Sequence, residues 1–322
     1  MNRRAFLALI GAATPFMSRA QQPAMPVIGL ISGTNREPRF IDAIRQGLGE
    51  TGYVEGRNFI FEYRWAEGDF ERLPGMAQDL VRRQVSLIMG MQSAAAPRAA
   101  KAATTTIPVV FCIGGDPVRL GLVASLSRPG GNVTGTTFLV NTLGAKRVEL
   151  LRELVPSGAV IGVLVNPKNP AAESEMKDVY AAAQTLGQKT YVQNASDENG
   201  IDSAFANFAQ QRVNAVTFAA DAVYNSRRKQ IIALAARHGL PTMYFYRAFV
   251  DDGGLISYGG RDIDSYRRAG VYAGRILKGE RPADLPVQQS TAVELVINMK
   301  TAKGQRITIP PALLARADDV IG

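Results

Sequence analysis

A single cysteine and a single histidine stand in 322 residues, and their scarcity closes off several chemistries at once. With only Cys112 there is no intrachain disulfide and no Cys-x-x-Cys redox or metal pair. It also lies too far from the N-terminus to carry a lipid anchor just after an export signal. It follows the apolar run Val109-Val110-Phe111 and reads as a small buried hydrophobe, since no histidine or cation stands beside it in the sequence to activate a thiol. His238 ends the helical stretch Ala235-Ala236-Arg237-His238-Gly239, where a cation suits the carbonyl end of a helix. One His and one Cys cannot furnish a His/Cys zinc site, and neither a His-Glu-x-x-His nor a Ser-His-Asp arrangement suggests itself. The phosphate-cradling loops Gly-x-Gly-x-x-Gly and Gly-x-x-x-x-Gly-Lys-Ser/Thr are missing too, the turn after the first strand spacing its glycines as Gly29-x-x-x-Gly33. No nucleotide, metal or other cofactor is expected.

Long apolar runs are also lacking, and a near-zero mean hydropathy argues against a polytopic membrane protein or a disordered chain. The charge balance of +9 is only moderately basic, and three of its cations, Arg3, Arg4 and Arg19, fall in the first twenty residues. The other basic groups, Arg82-Arg83, Arg227-Arg228-Lys229 and Arg267-Arg268, are scattered over helix faces instead of forming one stripe interleaved with aromatics, so no nucleic-acid partner is expected.

Residues 1–20 read as an export signal: a basic start, an apolar run from Ala5 to Ala13 too short to span a bilayer, and small residues at Ser18 and Ala20. Arg3-Arg4 before Ala5-Phe6-Leu7 resembles a twin-arginine signal. A periplasmic protein, soluble after cleavage, is the expectation.

From Val27 onward, short β-branched runs alternate with longer helical stretches, the pattern of parallel α/β structure. Strands are predicted at 27–32, 58–65, 87–91, 108–113 and 132–138, then again at 161–166, 189–194, 215–220, 241–246 and 254–258. The two halves echo each other in detail, as in Val27-Ile28-Gly29-Leu30-Ile31 against Val160-Ile161-Gly162-Val163-Leu164. A period of about 130 residues is too long for a solenoid and implies two doubly wound parallel-sheet lobes. A helix over 264–278, a strand over 294–298, a helical turn over 299–304 and a last helix over 310–320 complete the chain. The expected division is 26–137 plus 260–284 for one lobe and 138–259 plus 285–322 for the other, joined by a multi-strand hinge.

In such sheets a ligand sits beyond the carboxyl ends of the strands. In the first lobe those ends carry Ser32, Asn35, Gln92, Ser93, Ala94, Gly114, Gly115, Asp116, Thr136 and Thr137. In the second they carry Asp221, Tyr224, Tyr246 and Tyr258. Ser93 and the amides after it suit a ligand carboxylate or simply cap a helix; Asp221 suits an ammonium group or caps the next helix. Asp116 in Gly-Gly-Asp-Pro binds or shapes the turn, and the tyrosines wall a ligand or pack the lobe.

Gly121 to Gly135, with Ser127-Arg128-Pro129-Gly130-Gly131-Asn132-Val133-Thr134-Gly135, is similar to a known family signature. So are Gly253-Gly254-Leu255-Ile256-Ser257-Tyr258-Gly259, Leu277-Lys278-Gly279-Glu280-Arg281-Pro282 and Glu294 to Lys303. Together they resemble the ABC-transporter substrate-binding proteins of type I periplasmic-binding fold, tryptophan- and phenylalanine-type binding proteins among them. The resemblance implies a monomer that closes on a small solute, an aromatic or hydrophobic amino acid or a related carboxylate, without catalysis. Delivery would be to an inner-membrane ABC permease driven by a separate ATPase. It places the ligand carboxylate at Ser93 and Gly114 to Asp116 and the amino group at Asp221. Met91-Gln92-Ser93 departs from the family's Gly-Thr-rich turn. The alternatives are a periplasmic sensor serving a chemoreceptor or kinase, and a carboxylate-based hydrolase using Asp116 and Asp221.

Overall fold

The computed structural model describes residues 25–138 and 140–322, so residues 1–20, expected to be an export signal, lie outside the described residues. The first lobe begins with β1 (Val27–Ser32), α1 (Pro38–Glu50), β2 (Ile60–Trp65), α2 (Leu73–Arg82), β3 (Leu87–Met91), α3 (Ala95–Ala103), β4 (Val109–Ile113) and β5 (Val133–Thr137). After a 3-10 turn at Val140–Leu143 the second lobe runs through α4 (Gly144–Arg152), β6 (Val160–Val165), α5 (Ala172–Thr185), β7 (Lys189–Asn194) and α6 (Glu198–Gln210). It continues with β8 (Ala215–Phe218), α7 (Ala222–Ser226), α8 (Arg228–Arg237), β9 (Thr242–Tyr244), α9 (Arg247–Asp251) and β10 (Ile256–Gly260). The tail holds α10 (Asp262–Leu277), β11 (Gln288–Gln289), β12 (Val293–Asn298), α11 (Met299–Gly304), α12 (Pro311–Leu314) and β13 (Asp319–Ile321).

One sheet has the order β11-β5-β4-β3-β1-β2 and the other β13-β12-β10-β9-β8-β6-β7. Counted from each lobe's own first strand, both follow a 2-1-3-4-5 order, which is the internal repeat seen in three dimensions. Central strands are covered by helices on both faces and are therefore apolar throughout, as in β1 (VIGLIS) and β6 (VIGVLV). The outer strands β2 (IFEYRW) and β7 (KTYVQN) mix polar residues in, because much of their length is only half-buried.

Three segments cross between lobes: after β5, between β10 and α10, and between β11 and β12. They lie side by side, with the Arg261 N–H donating to Ala292 O at 3.0 Å and the Ser290 N–H to Thr137 O at 2.7 Å. The stretch 285–289, expected with the second lobe, runs along the first. Leu285 O accepts from Thr134 Oγ1 at 2.6 Å, Val287 N–H donates to Leu126 O, and Gln288–Gln289 pairs with Thr136–Thr137. The tail also corrects the helix expected over 310–320. Only one turn forms, and β13 then pairs in parallel with β12, while Asp318 accepts from the Leu295 N–H at 2.8 Å. An apolar strand edge, invisible to local periodicity, outbids the helix. The other side of β12 pairs antiparallel with β10, so the second sheet is not purely parallel.

Candidate functional site

The carboxyl ends of both sheets face one narrow interlobe cavity, which in this closed form has a free volume of about 20 Å³. Its first-lobe wall is Gln92, Ser93 and Ala94 from the β3–α3 turn with Gly114 and Gly115 after β4; its second-lobe wall includes Asn169, Ala220, Asp221 and Tyr246. Val140 and Asn141, just past the first crossing, form the base. Ion pairs join the lobes: Arg228 to Glu37 at 3.4 Å, and Arg119 to Asp178 at 3.4 Å. The lobes are closed upon each other.

Asp221 follows β8 and is the one acid among the described residues that line the cavity. It is 4% exposed; its Oδ1 accepts from the Val223 N–H at 2.7 Å, capping α7, and from Asn166 Nδ2 at 3.2 Å. Its Oδ2 is buried without a hydrogen-bond partner. Burial pushes the carboxyl up to about 6, against the pull of its hydrogen-bond donors. A buried acceptor left bare costs free energy unless something arrives to satisfy it.

Beneath the cavity lies a polar network within the second lobe. Arg147 and Glu175, both fully buried side chains, pair at 2.5 Å. Glu175 Oε2 accepts from Asn141 Nδ2 at 2.7 Å and from the Ala220 N–H at 2.9 Å. Burial raises the Glu175 carboxyl, and the guanidinium opposes that shift; with both oxygens accepting from donors, the geometry is that of a carboxylate. Asn141 and Asn169 both donate to Ala220 O, which fixes the strand end that presents Asp221.

Residues 25–321 match the family described as ABC transporter substrate binding protein. The chain belongs to that family. It is 26% identical over 262 residues to a tyrosine-binding protein of Clostridioides difficile, covering 80% of this chain and 74% of the relative. Among solved structures it is similar to a conserved domain protein of Vibrio cholerae, with 30% identity and a TM-score of 0.83. There 92% of this chain and 99% of that one are covered. It is also similar to an ABC domain of Streptococcus pneumoniae in complex with L-Trp, with 27% identity, TM-score 0.82 and the same coverage. The architecture is the type I periplasmic-binding fold, shared with more distant solute-binding proteins.

Within this substrate-binding protein the candidate residues of the sequence divide. Gln92, Ser93, Ala94, Gly114, Gly115, Asp221 and Tyr246 line the cavity. Ser93 Oγ also accepts from the Ala96 N–H at 3.2 Å, so it caps α3. Ser32 is buried beneath Gln92, its hydroxyl donating to Gln92 Oε1. Asn35 is exposed and lines a separate opening at the cleft rim together with Glu67, Asp69, Lys168 and Arg227.

The remaining candidates do not line the cavity. Tyr224 is fully buried in the second lobe, its hydroxyl donating to Ala195 O at 2.8 Å. Thr136 donates to Ser265 O and Thr137 to Gly115 O. Asp116 accepts from the Val118 and Arg119 N–H groups, which shapes the turn. Tyr258 packs against the second-lobe core. Asn141, Asn169, Arg147 and Glu175 were not anticipated from the sequence. Asn169, three residues beyond the Asn166-Pro167 strand end, was the nearest to being legible.

Proposed function

We propose that this protein is the solute-binding component of an ABC importer, working outside the cytoplasmic membrane in the periplasm. It captures an aromatic or other hydrophobic amino acid, or a related carboxylate, in the interlobe cavity and delivers it to a membrane permease served by a separate ATPase. The observation that carries the reading is the bare, buried Oδ2 of Asp221, set across the cavity from the hydrogen-bond donors of the β3–α3 turn. An ammonium group satisfies the first and a carboxylate the second, so the walls fit the two ends of an amino acid. Family membership and relatives named for tyrosine and bound to L-Trp support the same class. Binding across the cleft favours the closed form, the state a permease distinguishes from the open one. This reading asks the site only to bind, and the Asp116 carboxylate is engaged in its own turn.

The test is a thermal-shift and calorimetric panel on the purified protein, with all common amino acids, aromatic acids lacking the amino group, and sugars. A ligand at 100 times its Kd adds about 2.7 kcal/mol of stability. Amino acids with apolar side chains are expected to give the shift. A response only to acids lacking the amino group would remove Asp221 from the site, and silence to every amino acid and carboxylate would defeat the reading.

A further inference from the structure

Arg147 on α4 and Glu175 on α5 pair with both side chains fully buried, and Arg147 Nε is buried beside them with no hydrogen-bond partner. Taking two charges out of water is costly, and an apolar pair of similar volume commonly fills such a place as well or better. The hydrogen bonds that the two side chains make beyond each other all go to residues lining the cavity. Arg147 Nη1 donates to Val140 O at 3.1 Å, while Glu175 Oε2 accepts from Asn141 Nδ2 at 2.7 Å and from the Ala220 N–H at 2.9 Å. Ala220 is the residue before Asp221. Asn141 Nδ2 also donates to Ala220 O at 3.0 Å. Its two acceptors, a carboxylate and a backbone carbonyl, have no proton to offer, so they fix the amide with Oδ1 turned toward Gly114 and Gly115. The Asn141 N–H meanwhile donates to Gly114 O at 3.1 Å, so this one residue is bonded to both walls of the cavity.

Resting on the reading that the cavity holds an amino acid at Asp221, we infer that the Arg147–Glu175 pair is the positioning device of the site. It holds the Ala220–Asp221 strand end of the second lobe in register with Val140 and Asn141, the latter bonded to the wall of the first. Neither member of the pair lines the cavity, and both act through residues that do. The strand end that aims the bare Asp221 Oδ2 is held through the Ala220 N–H and carbonyl. A carboxylate suits this place because Oε1 takes the guanidinium while Oε2 takes two N–H donors, so both oxygens must accept. A ligand seated on Asp221 is thereby braced against the first crossing between the lobes, which a pair serving only to fill the second lobe would not require.

The test measures affinity for L-tyrosine, L-tryptophan and L-phenylalanine by calorimetry, and melting by circular dichroism, on wild type, Glu175→Gln, and Arg147→Met combined with Glu175→Leu. Glu175→Gln keeps the shape, but its single oxygen cannot serve Arg147 and the Asn141 and Ala220 donors together, and binding is expected to weaken about tenfold or more. The double variant removes both charges and is expected to melt at or above the temperature of Glu175→Gln while binding no better. A pair that only supported the fold would let affinity recover along with the melting temperature. Wild-type affinity in Glu175→Gln, or affinity regained in the double variant, would overturn the inference and leave the cleft reading standing. Loss of the native spectrum in both variants would make the pair a support of the fold and likewise overturn it. A wild-type protein that binds none of the three amino acids removes the inference together with its premise.

Discussion

Asp221 divides its two oxygens. One closes the start of α7, the cap that the sequence allowed, and the other has no hydrogen-bond partner among the described residues. Its carboxyl titrates near 6 instead of the usual 3.8, because burial disfavours the charged form. In the ligand-free protein, the folded state therefore binds a proton more readily than the unfolded chain. Between about pH 4 and pH 6 this residue costs stability as the pH rises. Asp221→Asn is expected to raise the denaturation midpoint of the ligand-free protein at pH 7.5, by about 1–3 kcal/mol, while abolishing amino-acid binding. Denaturant titration and calorimetry check the two halves separately. An ammonium ligand needs the ionised form, so affinity should weaken about tenfold per pH unit below pH 6; a profile flat from pH 5 to 8 contradicts the pairing.

Among the elements, α1 and α10 depend on missing side chains. A Cβ at Gly47 would stand 1.8 Å from Arg267 O, and one at Gly270 would stand 2.2 Å from Ile44 O, so the two backbones touch where neither helix has a side chain. This contact ties α10, which starts at the second crossing, to the first lobe. Gly270→Val is expected to destabilise the protein by about 3 kcal/mol, the upper range for overpacking, because backbone cannot yield as a flexible side chain does. Urea unfolding measures it, and a midpoint equal to wild type would mean the helices separate freely. The sequence marked α10 within two residues, since its apolar face repeats at helical spacing. It could not mark the contact, because a glycine in a helix looks the same whether it meets solvent or another backbone. The misplaced last helix has a similar origin: β13 exists only because β12 offers it an edge.

For the molecule as a whole, the closed state is held by few polar contacts between lobes. The chain Asp252–Arg228–Glu37 and the pair Arg119–Asp178 bridge the lobes at partly exposed sites, where each ion pair contributes on the order of 1 kcal/mol or less and weakens with salt. Arg228→Ala combined with Arg119→Ala is expected to leave the melting temperature nearly unchanged and to increase the radius of gyration of the ligand-free protein in small-angle scattering. Saturating ligand should restore the compact form, with affinity reduced by less than about tenfold. A double variant as compact as wild type without ligand would show that the hinge, not the rim, sets the resting geometry. The basic pairs that raise the net charge are absorbed in such contacts: Arg83 meets Glu62 and Asp79, Arg227 meets Glu198, and Arg267 meets Glu50 and Asp264.

Strand and helix order, the internal repeat and the strand ends that face the cavity were all legible in the chain, because apolar runs and their spacing are local properties and a parallel sheet puts its ligand at a known end. Gln92 and Asp221 were legible as positions for the same reason. Their partners were not. That Tyr224 turns into the core, that Asn166 reaches Asp221, and that Arg147, Glu175 and Asn141 lock together under the site depend on residues 28 to 55 positions apart in sequence meeting at hydrogen-bond distance. Only the closed tertiary structure makes those pairings, since a polar side chain takes its partner from whatever the fold brings to it.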